Sequence, residues 1–314
     1  KILSHESFDG DQYVMRVHAP GCAARTKAGQ FAHLTVHPQR PMRRPISIMR
    51  VSADEGWVDF LYKALGEGTE LLAQRQVGET LSMMGPIGVP FTVEAKRPLL
   101  IGGGVGMPPM IAIAEQIKKT DQQPFVILGS EVPFPFTVKP SQIMVDGLPE
   151  GVIGSMPLLE DWNIPSRLAS LQGYAGCHEG YVTDLARHWL KSLDDQARSE
   201  VELYACGPHV MLEAVVNLAR EFDLPVQVSL EEFMACAVGG CAGCVVEVET
   251  DDGPAMKRVC VDGPIFDGYK VFEAFAKVSR LTAFRRASDV VIQPRSNKSF
   301  SDFSSFCMPC ESPV

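Results

Sequence analysis

Four cysteines constrain one stretch of this 314-residue chain more tightly than any other feature in it. Cys236 and Cys241 are separated by four residues, Cys241 and Cys244 by two, and Cys260 follows at a distance. This C-x4-C-x2-C…C spacing is the plant-type arrangement for a [2Fe–2S] cluster. A compact loop must wrap several thiolates around such a cluster, and Gly239, Gly240 and Gly243 let backbone amides approach its inorganic sulfurs. Cys244 to Glu249 reads as a strand leaving the loop, Asp251-Asp252-Gly253-Pro254 as a turn, and Lys257 to Val261 as a returning strand. Cys244 and Cys260 are equally far from Asp252, so the expected hairpin carries Cys260 back beside the loop. Two competing readings stay open: zinc, which usually takes two short C-x2-4-C knuckles where Cys260 has no near partner, and structural thiols without metal.

The chain holds nine cysteines, with Cys22, Cys177 and Cys206 scattered. Crowding of Cys236, Cys241, Cys244 and Cys260 in a sizeable chain expected to be cytoplasmic suggests metal binding rather than disulfides. A length of 314 residues predicts two or three domains. Apolar residues at 46% and charged residues at 21% are ordinary for a globular protein. No apolar run approaches the roughly 20 residues of a membrane helix. Lys1 to Glu6 has no signal-peptide core, although the missing initiator Met leaves room for residues upstream. A net charge of −9, with no basic cluster beyond Arg40 to Arg44, argues against a nucleic-acid partner.

The first 97 residues read as short strands among frequent Gly and Pro, which suits a small β-barrel. Phe31 to Val36, Trp57 to Tyr62 and Thr80 to Met84 are the expected strands, the last running into a Gly85-Pro86 turn. From residue 98 to 225 strands alternate with helices, which implies a parallel α/β sheet. Leu99 to Ile101, Phe125 to Leu128 and Val201 to Ala205 are its expected strands. Its expected helices are Met110 to Lys119, Gly180 to Leu193 and Val210 to Phe222. Val132 to Pro165 is Pro-rich and poorly patterned. Residues 226–270 form the small C-terminal cluster domain, and 271–314 an extension of unknown role.

Within this frame several motifs suit nucleotide cofactors. Arg43-Arg44-Pro45-Ile46-Ser47-Ile48 lies between two strands, where a forked Arg and a nearby hydroxyl fit a pyrophosphate and an isoalloxazine edge. Gly66-Glu67-Gly68-Thr69 opens a helix, whose free N–H groups favour an anion. Taken singly, Arg44 reads equally well as a surface charge, and Gly68-Thr69 as an ordinary cap. Gly102 to Pro109 joins a strand to a helix but is not a dinucleotide fingerprint, since Pro109 stands where the last glycine belongs. Cys206-Gly207-Pro208 ends a later strand, at the edge where open α/β sheets bind ligands. Glu131, just past a strand, is placed to meet a ribose and to disfavour a 2′-phosphate, which predicts NADH over NADPH.

In order along the chain, these pieces resemble the iron–sulfur flavoprotein subunit of class 1B dihydroorotate dehydrogenase, in the ferredoxin–NADP reductase superfamily. The resemblance rests on Arg44 to Ser47, Gly66 to Thr69, Gly103 to Gly106, Cys206 to Pro208, Glu232 to Cys244, and Cys260-Val261-Asp262-Gly263-Pro264-Ile265-Phe266. It implies FAD on the barrel, lined by Arg44, Pro45, Ile46, Ser47, Leu61, Tyr62 and Lys63, with Gly68 and Thr69 at its phosphate. NAD(H) is then expected at Gly103, Gly104, Gly106, Cys206, Gly207 and Pro208. The implied chemistry is electron transfer from nicotinamide through flavin to the cluster, with no catalytic acid or base. The implied partner is an FMN-containing catalytic dehydrogenase subunit of pyrimidine biosynthesis, in a hetero-oligomer. An alternative is a reductase component serving a different oxidoreductase or oxygenase; a non-catalytic protein with a degenerate reductase fold fits the complete cysteine set poorly.

Three departures from the family pattern stand out. Ala237 replaces the first glycine of Cys-Gly-x-Gly-x-Cys, which strains the loop if the position needs φ > 0. The 132–165 stretch fits poorly. The tail ends in Cys307-Met308-Pro309-Cys310, read as part of an unassigned extension.

Overall fold

A computed structural model describes residues 1–37 and 40–272. The extension from 273 onward, with Cys307 and Cys310, lies outside the described residues. The described residues pack as one unit.

The first six strands are β1 (Ile2–Phe8), β2 (Gln12–His18), β3 (Phe31–Leu34), β4 (Arg44–Ser52), β5 (Trp57–Lys63) and β6 (Met83–Ile87). They form one antiparallel sheet in the order β1-β2-β5-β4-β3-β6. No β1–β6 ladder closes it; instead Ile2 bonds through its N–H to Glu79 O at 2.8 Å and through its O to Gly78 N at 2.9 Å. Ile2, Met15, Leu34, Ile48, Val58 and Phe60 fill the inside of the curl. β5 is buried on both faces, because Leu61 packs against the next layer while Phe60 and Tyr62 face the curl. Two short helices, α1 (Pro20–Ala23) and α2 (Glu67–Ala73), cover its ends. The Gly85-Pro86 pair expected as a turn lies inside β6, where the edge position tolerates a residue without an N–H.

The second layer is a seven-stranded sheet built from β7 (Arg97–Gly103), β8 (Phe125–Gly129), β11 (Ser166–Ser170), β12 (His178–Glu179), β13 (Val201–Cys206), β14 (Val226–Ser229) and β17 (Ile265–Asp267). Its order is β12-β11-β8-β7-β13-β14-β17, parallel except for the last strand. Leu99, Leu100 and Ile101 of central β7 are fully buried, and each such side chain contributes on the order of 1.5–3 kcal/mol of hydrophobic stabilisation. Helix α3 (Met107–Ile117) covers one face, and α5 (Val182–Ser192) and α7 (His209–Phe222) the other. Helix α3 starts three residues before the expected Met110, since Pro108 and Pro109 are tolerated in a first turn where N–H groups have no helical partner. Ser166 to Ser170, unpatterned in sequence, is the buried strand β11. The 132–165 stretch contributes only the two-residue strands β9 (Lys139–Pro140) and β10 (Gly154–Ser155) and the short helix α4 (Pro157–Asp161). Buried Arg167 holds this stretch, donating to Val152 O and Ile143 O at 3.1 and 2.8 Å. A further short helix, α6 (Asp195–Ser199), leads into β13.

After β14 the chain enters the cysteine loop, then the hairpin β15 (Val245–Thr250) and β16 (Gly253–Arg258). It comes back as β17 against β14, followed by α8 (Gly268–Val271). The parallel sheet therefore runs on to Ser229, past the expected boundary at 225, and takes an edge strand from the cluster segment.

Candidate functional site

The motifs converge on one side of the molecule. A cleft of about 960 Å³ opens between the six-stranded sheet and the cysteine loop. Arg44, Pro45, Ile46 and Ser47 of β4 and Leu61, Tyr62 and Lys63 of β5 line one wall. Glu231 to Ala235 and Gly243 line the opposite one. The register pairs Phe31 with Ser47 and His33 with Pro45, so those four side chains share the outward face of the sheet.

Arg44 is held by its own chain, donating from Nη1 to Met42 O at 3.0 Å and Arg43 O at 3.3 Å. Its guanidinium lies over Gly68, where an added Cβ would stand 2.4 Å from Nε. Gly68 is needed for that approach. Thr69 lines the cleft, but its hydroxyl is engaged locally: it accepts from Leu65 N at 3.0 Å and donates to Gly66 O at 3.1 Å. Tyr62 is fixed from behind. His5 Nδ1 lies 2.8 Å from the Arg75 carbonyl, which can only accept, so Nδ1 carries the proton. Nε2 is then the acceptor for the Tyr62 hydroxyl at 2.8 Å. Tyr13 stacks on the Tyr62 ring at 5.4 Å, and burial raises the phenol pKa, so the hydroxyl stays protonated.

The glycine turn after β7 meets the turn after β13 backbone to backbone. A Cβ on Gly106 would stand 2.2 Å from Cys206 O and 2.6 Å from Gly207 N. Gly103 is as tightly placed against Met211 Sδ, while Gly104 has φ +55 and open space around it. These loops leave the C-terminal ends of adjacent parallel strands, paired Cys206 to Gly102, the usual place for a ligand in such a sheet. Cys206 is fully buried, and burial first, then the Glu231 carboxylate, pushes its thiol well above the ordinary range. It is therefore no thiolate nucleophile. Glu131 lies exposed on the loop beyond β8.

In the cysteine loop the four thiols come as two pairs. Cys236 interacts with Cys241 on the accessible side, and Cys244 with Cys260 on the buried side. Val238 N–H points to Cys236 Sγ at 3.5 Å and Gly243 N–H to Cys241 Sγ at 3.4 Å. The Val238 amide is the main cause holding the Cys236 thiol down to about 6, with Cys241 next. Burial, then Cys244, pushes Cys260 up to about 11. Among the described residues no point is surrounded by three or more His, Cys, Asp or Glu groups arranged for a single ion. Cys236 and Cys241, each with an N–H donor on sulfur, together with Cys244 and Cys260 supply the four thiolates a two-iron group takes. The turn of the hairpin is two residues, Asp251 and Asp252, so the ladder centres between them rather than on Asp252. Val259, not Cys260, therefore stands opposite Cys244, with Val259 N donating to Cys244 O at 2.9 Å. Cys260 lies one residue past the ladder and is still buried against Cys244. Ala237 has φ +54, Gly239 +78 and Ala242 +50, so the position where glycine was expected does adopt the left-handed conformation.

His33 escaped the sequence reading, where it was only one letter of a strand. It is buried, and neither ring nitrogen has a hydrogen bond. It lies between the backbone of Arg43 and that of Met234, which precedes the first cluster cysteine. An orphaned buried imidazole there marks the seam between the sheet and the cysteine loop.

A family model for the iron–sulfur cluster binding domain of dihydroorotate dehydrogenase B matches residues 231–272. The dihydroorotate dehydrogenase B (NAD(+)) electron transfer subunit of Geobacillus sp. strain WCH70 is 34% identical over 276 residues, covering 86% of this chain and 96% of that protein. The corresponding subunit of Bacillus caldolyticus is 36% identical over 245 residues, covering 76% and 84%. Among solved structures, an NADH-dependent reduced ferredoxin-NADP oxidoreductase studied for flavin-based electron bifurcation superposes with TM-score 0.69 at 26% identity, covering 92% of this chain and 95% of that one. The ferredoxin reductase in carbazole 1,9a-dioxygenase shares the fold, at TM-score 0.56 and 20% identity over 73% and 67% of the two chains.

Proposed function

The chain belongs to the family of dihydroorotate dehydrogenase B electron transfer subunits, and from that premise we propose that it carries electrons between NAD(H) and a catalytic dihydroorotate dehydrogenase subunit. The observation that carries the reading is the single cleft whose two walls are the Arg44–Ser47 strand and the approach to the four cysteines. Val105 of the glycine turn also lines the cleft, so a flavin held there would border both the nucleotide loops and the approach to the cysteines.

We read residues 1–97 as the FAD domain, its curled sheet serving as the barrel, 98–225 as the NAD(H) domain and 226–270 as the cluster domain. When bound, FAD supplies a two-electron acceptor that gives up electrons singly, and the [2Fe–2S] cluster a one-electron carrier. The chain itself does the placing. Arg44, over Gly68, offers its free guanidinium edge to a pyrophosphate, with Thr69 beside it. Pro45, Ile46, Ser47, Leu61, Tyr62 and Lys63 bound the flavin ring, and the His5–Tyr62 bond keeps that wall rigid. Gly103, Gly104 and Gly106 with Cys206, Gly207 and Pro208 form the two turns offered to NAD(H), and the missing side chains at Gly103 and Gly106 let those turns approach each other. Cys236, Cys241, Cys244 and Cys260 would supply the four thiolates that hold the cluster. Water is kept from the seam by Met234 and Phe31, both buried.

Among the described residues no helix is long and apolar enough to cross a membrane. The free thiols and the reduced nucleotide suit a cytoplasmic setting. A hetero-oligomer with a catalytic subunit follows from the family, whose members are electron transfer subunits. The likeness to a ferredoxin-linked reductase over 92% of the chain favours one second reading, a reductase component for another oxidoreductase.

The experiment is coupled turnover. The purified chain should oxidise NADH with ferricyanide, carry about two irons and two acid-labile sulfides, and leave dihydroorotate and orotate untouched. Adding the catalytic subunit should restore their interconversion. Turnover of dihydroorotate by this chain alone, free of any copurifying protein, would refute the reading.

A further inference from the structure

The returning strand of the cluster hairpin carries an ion pair that the function above leaves without a role. Arg258 Nε donates to Asp262 Oδ2 at 3.0 Å and Nη2 to Oδ1 at 3.1 Å, a two-pronged contact of fixed geometry. The backbone N–H of Arg258 also donates to Oδ2 at 2.8 Å, and Asp262 N returns a bond to Arg258 O at 2.8 Å. The pair thus closes the turn that contains Cys260.

The remaining guanidinium nitrogen faces the other way. Nη1 donates to Gly239 O at 3.2 Å, in the middle of the Cys236–Cys241 segment. Gly239 has φ +78, and a Cβ there would press on Val261 Cγ2 at 3.0 Å and Arg258 Nη1 at 3.2 Å. Cys260 and Cys244 both lie within electrostatic reach of Arg258. The guanidinium is therefore pinned between the Cys236–Cys241 segment, which Nη1 bonds, and the Asp262 carboxylate, which Nε and Nη2 bond.

A one-electron carrier held by four thiolates becomes more negative by one charge on reduction. Net charge around an iron–sulfur group is among the factors that set its potential. We propose that Arg258 and Asp262 form an oriented charge pair that sets the reduction potential of the cluster, Arg258 favouring the reduced state and Asp262 the oxidised one. This rests on the cluster assignment made above. Two opposite charges held at different points give a net field, so the pair acts although its formal charge is zero, and removing either one leaves the other uncompensated. Both side chains are partly exposed, at 42% and 31%, so salt screens part of the effect.

A purely structural brace and a charge pair give different results. Loss of a brace damages the loop in the same way whichever partner is removed. Loss of one charge leaves the other uncompensated, so the two substitutions move the potential in opposite directions. The test is an EPR-monitored potentiometric titration of the full, cluster-loaded chain at low and high salt. Arg258→Gln should lower the potential and Asp262→Asn raise it. Each shift should be on the order of tenfold in the reduction equilibrium, about 59 mV for one electron, and should shrink at high salt. Arg258→Lys, which keeps the charge, should stay close to the parent. If Arg258→Gln fails to hold a cluster, Asp262→Asn and Arg258→Lys still decide. Shifts of the same sign, an unmoved potential in Asp262→Asn, or a large fall in Arg258→Lys overturn the proposal. A parent chain without labile sulfide fails the cluster assignment itself. A full cluster indifferent to both substitutions fails only this inference.

Discussion

Replacing Gly104 and Gly106 separately by alanine asks whether the nucleotide loop is shaped by backbone conformation or by close approach. At Gly104 the added Cβ meets nothing within 4 Å, and only φ +55 resists it. A non-glycine residue in the left-handed region costs roughly 1–2 kcal/mol, partly offset by about 0.5–1 kcal/mol from the lower entropy of the unfolded alanine chain. The net loss for Gly104→Ala should be about 1 kcal/mol or less. At Gly106 the Cβ would stand 2.2 Å from Cys206 O and 2.4 Å from Cys206 C, far inside van der Waals contact. Both atoms are backbone at the end of a central buried strand, so no rotamer change relieves them. Gly106→Ala must push the Cys206–Pro208 turn aside, a loss of about 3 kcal/mol or more, in the range of severe overpacking. Thermal unfolding followed by flavin fluorescence should show a small drop for Gly104→Ala and a several-fold larger one for Gly106→Ala. Stopped-flow reduction should show NADH affinity nearly kept in the first and weakened by on the order of a hundredfold in the second, if about 3 kcal/mol falls on the binding loop. Equal behaviour of the two variants would refute the backbone contact and the placement of NAD(H) on it.

Ala242→Gly, at φ +50 on an exposed residue, should stabilise the cluster loop by roughly 0.5–1 kcal/mol; Ala237→Gly gives up a buried methyl worth about 0.8 kcal/mol and should be near neutral, both read as shifts in melting temperature. Cys260→Ser should abolish the EPR signal of the dithionite-reduced chain, while Cys22→Ser and Cys177→Ser leave it intact, since neither lies in the loop. Burial first, then the charge of Arg43 and to a lesser degree Arg44, depresses the His33 pKa below its ordinary 6.5. The unfolded chain then binds a proton that the folded one does not, so stability holds above pH 6.5 and falls as pH drops below it. His33→Leu should flatten that part of the urea-unfolding profile; an unchanged slope would show that other groups produce it.

The cysteine set and the order of nucleotide motifs were readable because each depends on local spacing. A hairpin places Cys260 by counting alone, and the count erred by a single residue because the turn centre falls between two aspartates rather than on one. The strand Ser166–Ser170 was not readable: it is a buried neighbour of β8 whose small and charged letters carry no period, and tertiary packing decides it. Arg167 in that strand is satisfied by the Ser166 carbonyl beside it and by the Val152 and Ile143 carbonyls, which the fold brings back from 15 and 24 residues away. His33 was missed for the same reason, since its meaning comes from Met234, two hundred residues away. Thr69 illustrates the reverse. Its motif reads as a phosphate site, yet its hydroxyl is engaged within its own loop, which a motif cannot show.

The five residues that follow the last cysteine turn have a practical consequence for anyone cutting this protein apart. Gly263 O accepts from Val89 N at 2.7 Å and Pro264 O from Leu230 N at 2.9 Å, and Ile265 to Asp267 then pair with Ser229 to Gln227. One short segment is stitched to the region just after the first sheet and, along its length, to the second sheet. A chain truncated before the cysteines to obtain a simple flavin reductase would leave Val226–Ser229 as a bare edge, with two of its four residues apolar and fully or nearly buried in the intact protein. Unpaired edges of that kind recruit strands from other molecules, so such a truncation should come out of cells as aggregate rather than as enzyme. A soluble flavin-only version is better sought by substituting the cysteines while keeping residues 263–267 in place.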